Sequence, residues 1–103
     1  METTITIRGR KGQIIFFDDE DRGTMTWALS LLPHHMRNDL RTYERMGKAN
    51  RFEFTPGSVT IHVKLYDSSA DEVAKLICMI YDSYFRHKYK RAGKQTEYEI
   101  KRD

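Results

Sequence analysis

The amino-acid sequence predicts an α+β fold, a mainly antiparallel sheet of four to five strands with helices on one face, in the order ββααββαβ. Three observations carry this expectation. Apolar and polar residues alternate with the period of a strand in the segments 3–8, 50–66 and 96–102. Apolar residues recur with helical period in the segment that opens at Ser69 and runs towards Gly93. Glycine and proline punctuate the chain between these stretches, at Gly9, Gly12, Pro33, Gly47, Pro56 and Gly57. A chain of 103 residues can build one hydrophobic core but not two, so residues 1–103 are expected to form a single domain.

The first element is a β-hairpin over residues 3–17: TTITIR alternates, GRKG supplies the turn and QIIFF is rich in strand formers. In such a strand Ile15 and Phe17 alternate onto the face opposite Ile14 and Phe16. The acidic run Asp18, Asp19, Glu20 and Asp21 suggests a calcium loop, but the spacing rejects it. With Asp18 as first ligand, Arg22 takes the fifth position and Leu29 the twelfth, where oxygen donors are required. The run instead suits a helix N-terminus, where carboxylates complement the dipole. The helix that follows, 24–32, is apolar on most sides, with Trp27 and Leu31 covered by a different surface from Met25, Leu29 and Leu32.

Pro33 breaks that helix and opens another, 33–48, capped by Gly47. Met36, Leu40, Tyr43 and Met46 share one of its sides, and Arg37, Arg41, Arg45 and Lys48 line the other. Like charges at this spacing cost roughly 0.2–0.5 kcal/mol per pair, so a basic row is best explained by an anionic partner. Glu44 interrupts it, and the acidic run could fold back onto it. A second hairpin spans 50–66, with Pro56 and Gly57 in a type II turn, Val59, Ile61, Val63 and Leu65 towards the core, and Thr60, His62, Lys64 and Tyr66 outward. The capping box Ser69–Ala70–Asp71–Glu72 then starts a long helix with the stripe Val73, Leu76, Ile77, Ile80 and Tyr84. Its end carries Arg86, His87, Lys88, Lys90, Arg91 and Lys94, interleaved with Tyr84, Phe85 and Tyr89. The segment 96–102 reads as an edge strand guarded by charge. Two ββα units thus follow each other, with 33–48 as an insertion.

The formal charge is +3 with pI ≈ 9.1. The basic excess lies wholly after Leu32, where fourteen basic residues face ten acidic ones. No apolar run is long enough to span a bilayer and the first residues lack the character of a signal peptide, so the expected location is cytoplasmic, away from membranes. The single cysteine, Cys78, sits between Ile77 and Met79 as a core residue would. Adjacent His34 and His35 point about 100° apart on a helix and cannot share an ion, and phosphate-loop, dinucleotide and nucleophile-elbow motifs are all missing. The expectation is a protein that is no enzyme and takes no cofactor or metal. A ribonuclease-like set drawn from His34, His35, His62 and His87 would leave no linear motif and stays open.

The function this points to is non-enzymatic binding of DNA or RNA. Arg37, Arg41, Arg45 and Lys48 would contact phosphates or base edges, Arg10 and Lys11 a flanking backbone, and Lys88, Lys90 and Arg91 a further stretch. The alternative architecture is winged helix-turn-helix-like, with 24–32 as support, 33–48 as reader and the Pro56–Gly57 turn as wing tip. The alternative function is a small protein-interaction or inhibitory module, an accessory factor of mobile-element type. It would act through a sheet face or helix surface as a homodimer or with a protein partner, and Ile15, Phe17 and Tyr66 are its candidate interface.

Overall fold

The computed structural model describes residues 3–30, 51–63 and 67–102. In chain order the elements are β1 (Thr3–Gly9), α1 (Asp19–Ser30), β2 (Arg51–Thr55), β3 (Ser58–Val63), α2 (Asp67–Tyr89) and β4 (Thr96–Arg102). The sheet order is β2-β3-β1-β4, and every pairing is antiparallel. Each helix therefore connects two strands that have a third strand lying between them. This is the double split βαβ connectivity. The expected α+β class and antiparallel sheet are present, but the expected order and the paired ββα units are not. The proposed reading helix of the winged arrangement, 33–48, lies outside the described residues.

The departure starts at Gly9. Both edges of β1 are occupied, by β3 from Thr3 to Arg8 and by β4 from Thr3 to Gly9, so the QIIFF segment has no free edge to pair with. After a short 3₁₀ turn at Arg10–Gly12, with Lys11 at φ 56° and Gly12 at φ 74°, the chain leaves the sheet. It still accounts for its backbone groups: the Ile15 and Phe16 amides donate to the Pro56 carbonyl at 2.9 and 3.0 Å, and the Gly9 amide donates to Gly57 at 2.9 Å. A Cβ at Gly9 would stand 2.0 Å from the Gln13 carbonyl oxygen, so only glycine allows this return. Gly57 has no positive φ, so its turn is not of type II.

Register places two apolar rows across the buried face, Phe52–Ile61–Ile5–Ile100 and Phe54–Val59–Ile7–Tyr98. The four central residues of these rows, Ile5, Ile7, Val59 and Ile61, are fully buried. Val59 and Ile61 thus face inward as the alternation predicts, and β4 is an edge strand with Glu97, Glu99 and Lys101 exposed. Over this face lie Ala70, Val73, Ala74, Ile77, Cys78, Tyr81 and Phe85 of α2, joined by Met25 and Leu29 of α1. The buried stripe of α2 is rotated from the expected one. Leu76, Ile80 and Tyr84 are only half-buried, because small Ala70 and Ala74 let the helix sit close and Tyr81 and Phe85 fill the space further along.

The helix termini also shift. Asp18 caps α1, its Oδ1 accepting from the Asp21 amide at 2.9 Å, so the helix begins within the acidic run instead of after it. α2 begins at Asp67, before the predicted capping box, and ends at Tyr89. Lys90, at φ 58°, takes the left-handed position that closes the helix, and Gly93, at φ 86°, turns the following loop. Ile15, expected on an interaction surface, is completely buried. Once QIIFF leaves the sheet, consecutive Ile15 and Phe16 both enter the core, and the Tyr81 hydroxyl donates to the Ile15 carbonyl.

Candidate nucleic-acid interface

The end of α2 separates its cations by helical geometry. On one side Tyr84, Lys88 and Tyr89 turn towards the start of α1. There Asp21, with no exposed surface, accepts hydrogen bonds from the Phe17 amide at 2.7 Å, the Tyr84 hydroxyl at 2.6 Å, the Tyr89 hydroxyl at 2.7 Å and the Lys88 ammonium at 2.9 Å. Burial by itself would raise the Asp21 carboxyl, but these four donors outweigh it and hold the group well below the usual carboxylate range. Lys88 also reaches Asp18 at 2.7 Å and Glu20 at 3.6 Å. Burial disfavours its charge, yet the carboxylates and tyrosine hydroxyls around it push its pKa up. Burial and donation to Asp21 likewise push Tyr84 up to about 12. Lys88, a predicted phosphate contact, is thus committed to an internal ion cluster. Its partner is the acidic run, whose sequence position suggests the dipole of α1 or the arginine row instead.

The other side of α2 is different. Lys75, Met79, Asp82, Ser83 and Arg86 recur at helical spacing, and with the loop before β4 they line a groove of about 830 Å³. Arg10 enters it from the far end of β1. Its amide donates to Gln95 at 3.0 Å and its guanidinium to the Lys94 carbonyl at 3.5 Å, while Gln13 Nε2 donates to the Gln95 carbonyl at 2.7 Å. These bonds fasten the Arg10–Gly12 turn against the 94–95 loop, so Arg10, Lys75, Arg86 and Lys94 border one space. None of the four forms an ion pair among the described residues.

The carboxylates of the groove are already engaged. Asp82 accepts from the Gln95 and Thr96 amides at 3.1 and 3.0 Å and from the Thr96 hydroxyl at 2.8 Å, anchoring the start of β4. Glu97 pairs with Arg8 at 3.2 Å. The apolar floor includes Cys78, whose burial pushes its thiol up to about 11, leaving it a protonated packing residue.

The predicted contacts therefore divide. Arg10 lies in the groove. Lys11, Lys90 and Arg91 are exposed nearby in sequence to its lining residues, with the Arg91 guanidinium 5.6 Å from the centre of the Phe85 ring. Lys88 is withdrawn. Arg37, Arg41, Arg45 and Lys48 lie outside the described residues, as does Tyr66 of the alternative interface. Phe17 is half-exposed but packs on Phe85 and Tyr89, with centroids 6.3 and 5.2 Å away. Lys75, Arg86 and Lys94 are not among the contacts expected from the sequence. The helical spacing of Lys75, Met79, Ser83 and Arg86 was the signal that could have found two of them.

The sheet face away from the helices presents Thr4, Thr6 and Arg8 from β1 and Ser58, Thr60 and His62 from β3. Among these residues there is no Phe, Tyr or Trp, the rings that most often stack RNA bases on sheet surfaces, and His62 is the one aromatic side chain. Among the described residues no group of His, Cys, Asp and Glu is arranged to hold a metal ion, and no helix is long and apolar enough to cross a membrane. Comparisons with protein-family models, with curated proteins and with solved structures find no match to this chain.

Proposed function

We propose that this protein binds nucleic acid without cleaving it, through phosphate contacts in the groove between α2 and the loop before β4. The observation that carries the reading is the convergence of Arg10, Lys75, Arg86 and Lys94, distant in sequence, around a space whose two carboxylates are otherwise engaged. Cations that are only there for solubility have no need of such convergence, whereas a polyanion gains from it by releasing counterions. Lys11, Lys90 and Arg91 add exposed cations close in sequence to the groove's lining residues.

The test is fluorescence anisotropy of labelled DNA and RNA oligonucleotides at low salt. Arg86→Glu combined with Lys94→Glu is expected to lower affinity at least tenfold and to reduce the salt slope by roughly two, at about 0.9 per phosphate contact. Unchanged binding in the double variant would overturn the assignment of the groove. A second reading, a protein-interaction or inhibitory module, draws on a different observation: Trp27 is 57% exposed and Met79 64% exposed, large apolar surface on neighbouring helices. It predicts a homodimer or a partner complex that Met79→Asp dissolves, measured by size-exclusion chromatography. A monomer with no captured partner would count against it.

A further inference from the structure

β4 forms one margin of the sheet: β1 pairs with it along its length, and among the described residues no strand lies on its other side. Two bonds fix the direction of its backbone groups. The Arg10 amide donates to the Gln95 carbonyl at 3.0 Å and the Gly9 amide to the Gly57 carbonyl at 2.9 Å, so even-numbered residues of β1 bond to β4 and odd-numbered ones to β3. By the pairing register Glu97, Glu99 and Lys101 are then the residues of β4 that bond to β1, while Tyr98 and Ile100 aim their amides and carbonyls outward. Ile100 is also only half-buried where it packs against the core. A strand of seven residues with outward backbone groups and a half-covered apolar side chain is a template for another strand.

We infer that β4 pairs with β4 of a second copy of this chain, antiparallel about a two-fold axis at Ile100, joining two four-stranded sheets into one continuous sheet. Charge complementarity selects both the occupant and the register. Glu99 of each copy stands opposite Lys101 of the other, in a non-hydrogen-bonded pair where side chains come closest, and Ile100 meets Ile100. The neighbouring two-fold registers fail: centred on Tyr98 the pairing opposes Glu97 to Glu99, centred on Glu99 that residue meets itself, and centred on Lys101 two lysines face each other. Charges that guard an edge against indiscriminate pairing thus admit one arrangement. Lys101 forms no ion pair within its own copy among the described residues, whereas Glu99 accepts from Arg8 at 2.9 Å and stands between two cations once paired. Each contact occurs twice, so the pairing closes at two copies.

The test is sedimentation velocity of the full chain, freed of nucleic acid, across a wide range of concentration. A reversible equilibrium between monomer and dimer is expected. Lys101→Glu sets like charges opposite each other at both ends of the contact and should weaken dimerisation about tenfold or more, with an unchanged circular dichroism spectrum because Lys101 has no ion pair of its own to lose. Glu99→Lys should do the same. Combining Glu99→Lys with Lys101→Glu exchanges the charges, makes them complementary again and should restore the dimer, a rescue that misfolding cannot imitate. A monomer at every concentration would overturn the inference, as would a dimer indifferent to Lys101→Glu or one that the double variant fails to restore. A dimer that Met79→Asp dissolves and Lys101→Glu leaves intact would assign self-association to the helix surface and overturn it too. None of these outcomes bears on the nucleic-acid reading, which the salt dependence of oligonucleotide binding tests separately.

Discussion

Asp21 shows how much one side chain decides in this protein. Four donors from two separate stretches, Phe17 before α1 and Tyr84, Lys88 and Tyr89 at the end of α2, meet on its carboxylate, and they fasten the first turn of α1 to the last turns of α2. Because the folded group binds its proton less readily than the unfolded one, the stabilisation is present above about pH 3.9, the ordinary aspartate value, and is lost as pH falls through the folded value. Asp21→Asn is therefore expected to cost about 2–3 kcal/mol at neutral pH, towards the lower end of what removing one member of a buried pair costs, since Lys88 keeps Asp18. It should also flatten the rise in stability between acid and neutral pH. Urea unfolding at several pH values measures both effects, and an unchanged acid limb would contradict the role given to the cluster. The sequence displayed the acidic run but not its partner. Asp18 and Lys88 are seventy positions apart, and no local pattern links them.

Among the elements, those whose environment is set by local pattern were legible in the sequence. Alternation identified β3 and β4, where the buried face is the face the period selects, and helical periodicity identified α2 as a helix although its buried stripe is rotated from the expected one. The QIIFF segment was misread for a physical reason. Strand propensity describes a residue's fit to a pleated surface, but it cannot tell whether an edge is vacant, and both edges of β1 are taken by strands from the far half of the chain. The C-terminus of α2 was misread more narrowly. A lysine instead of Gly93 occupies the left-handed closing position. Lys90→Gly should therefore stabilise the fold by about 0.5–1 kcal/mol, measured by thermal or urea unfolding, as the strain of a side chain at positive φ is relieved. The same change removes a cation from the basic end, so stability and nucleic-acid affinity should move in opposite directions. A loss of stability would contradict the helix-closing role.

At the scale of the whole molecule, function turns on how the topology sorts charge. The sequence placed the basic excess in the C-terminal two thirds, which was correct as composition but silent about which cations are already occupied. Folding divides the end of α2 in two: Lys88 is spent on Asp18, Glu20 and Asp21, while Arg86 faces the groove that Arg10 and Lys94 complete. The split βαβ order is what delivers Arg10 to that place, since β1 lies directly beside β4 and its last residues emerge next to the loop that leads into β4. The most direct test of the account is a salt titration of oligonucleotide binding to the unaltered protein, plotted as log affinity against log salt. Docking of phosphates in the groove predicts measurable binding at low salt and a slope of about −3 or steeper, from at least three or four phosphate contacts. No binding at low salt, or an affinity indifferent to salt, would contradict it.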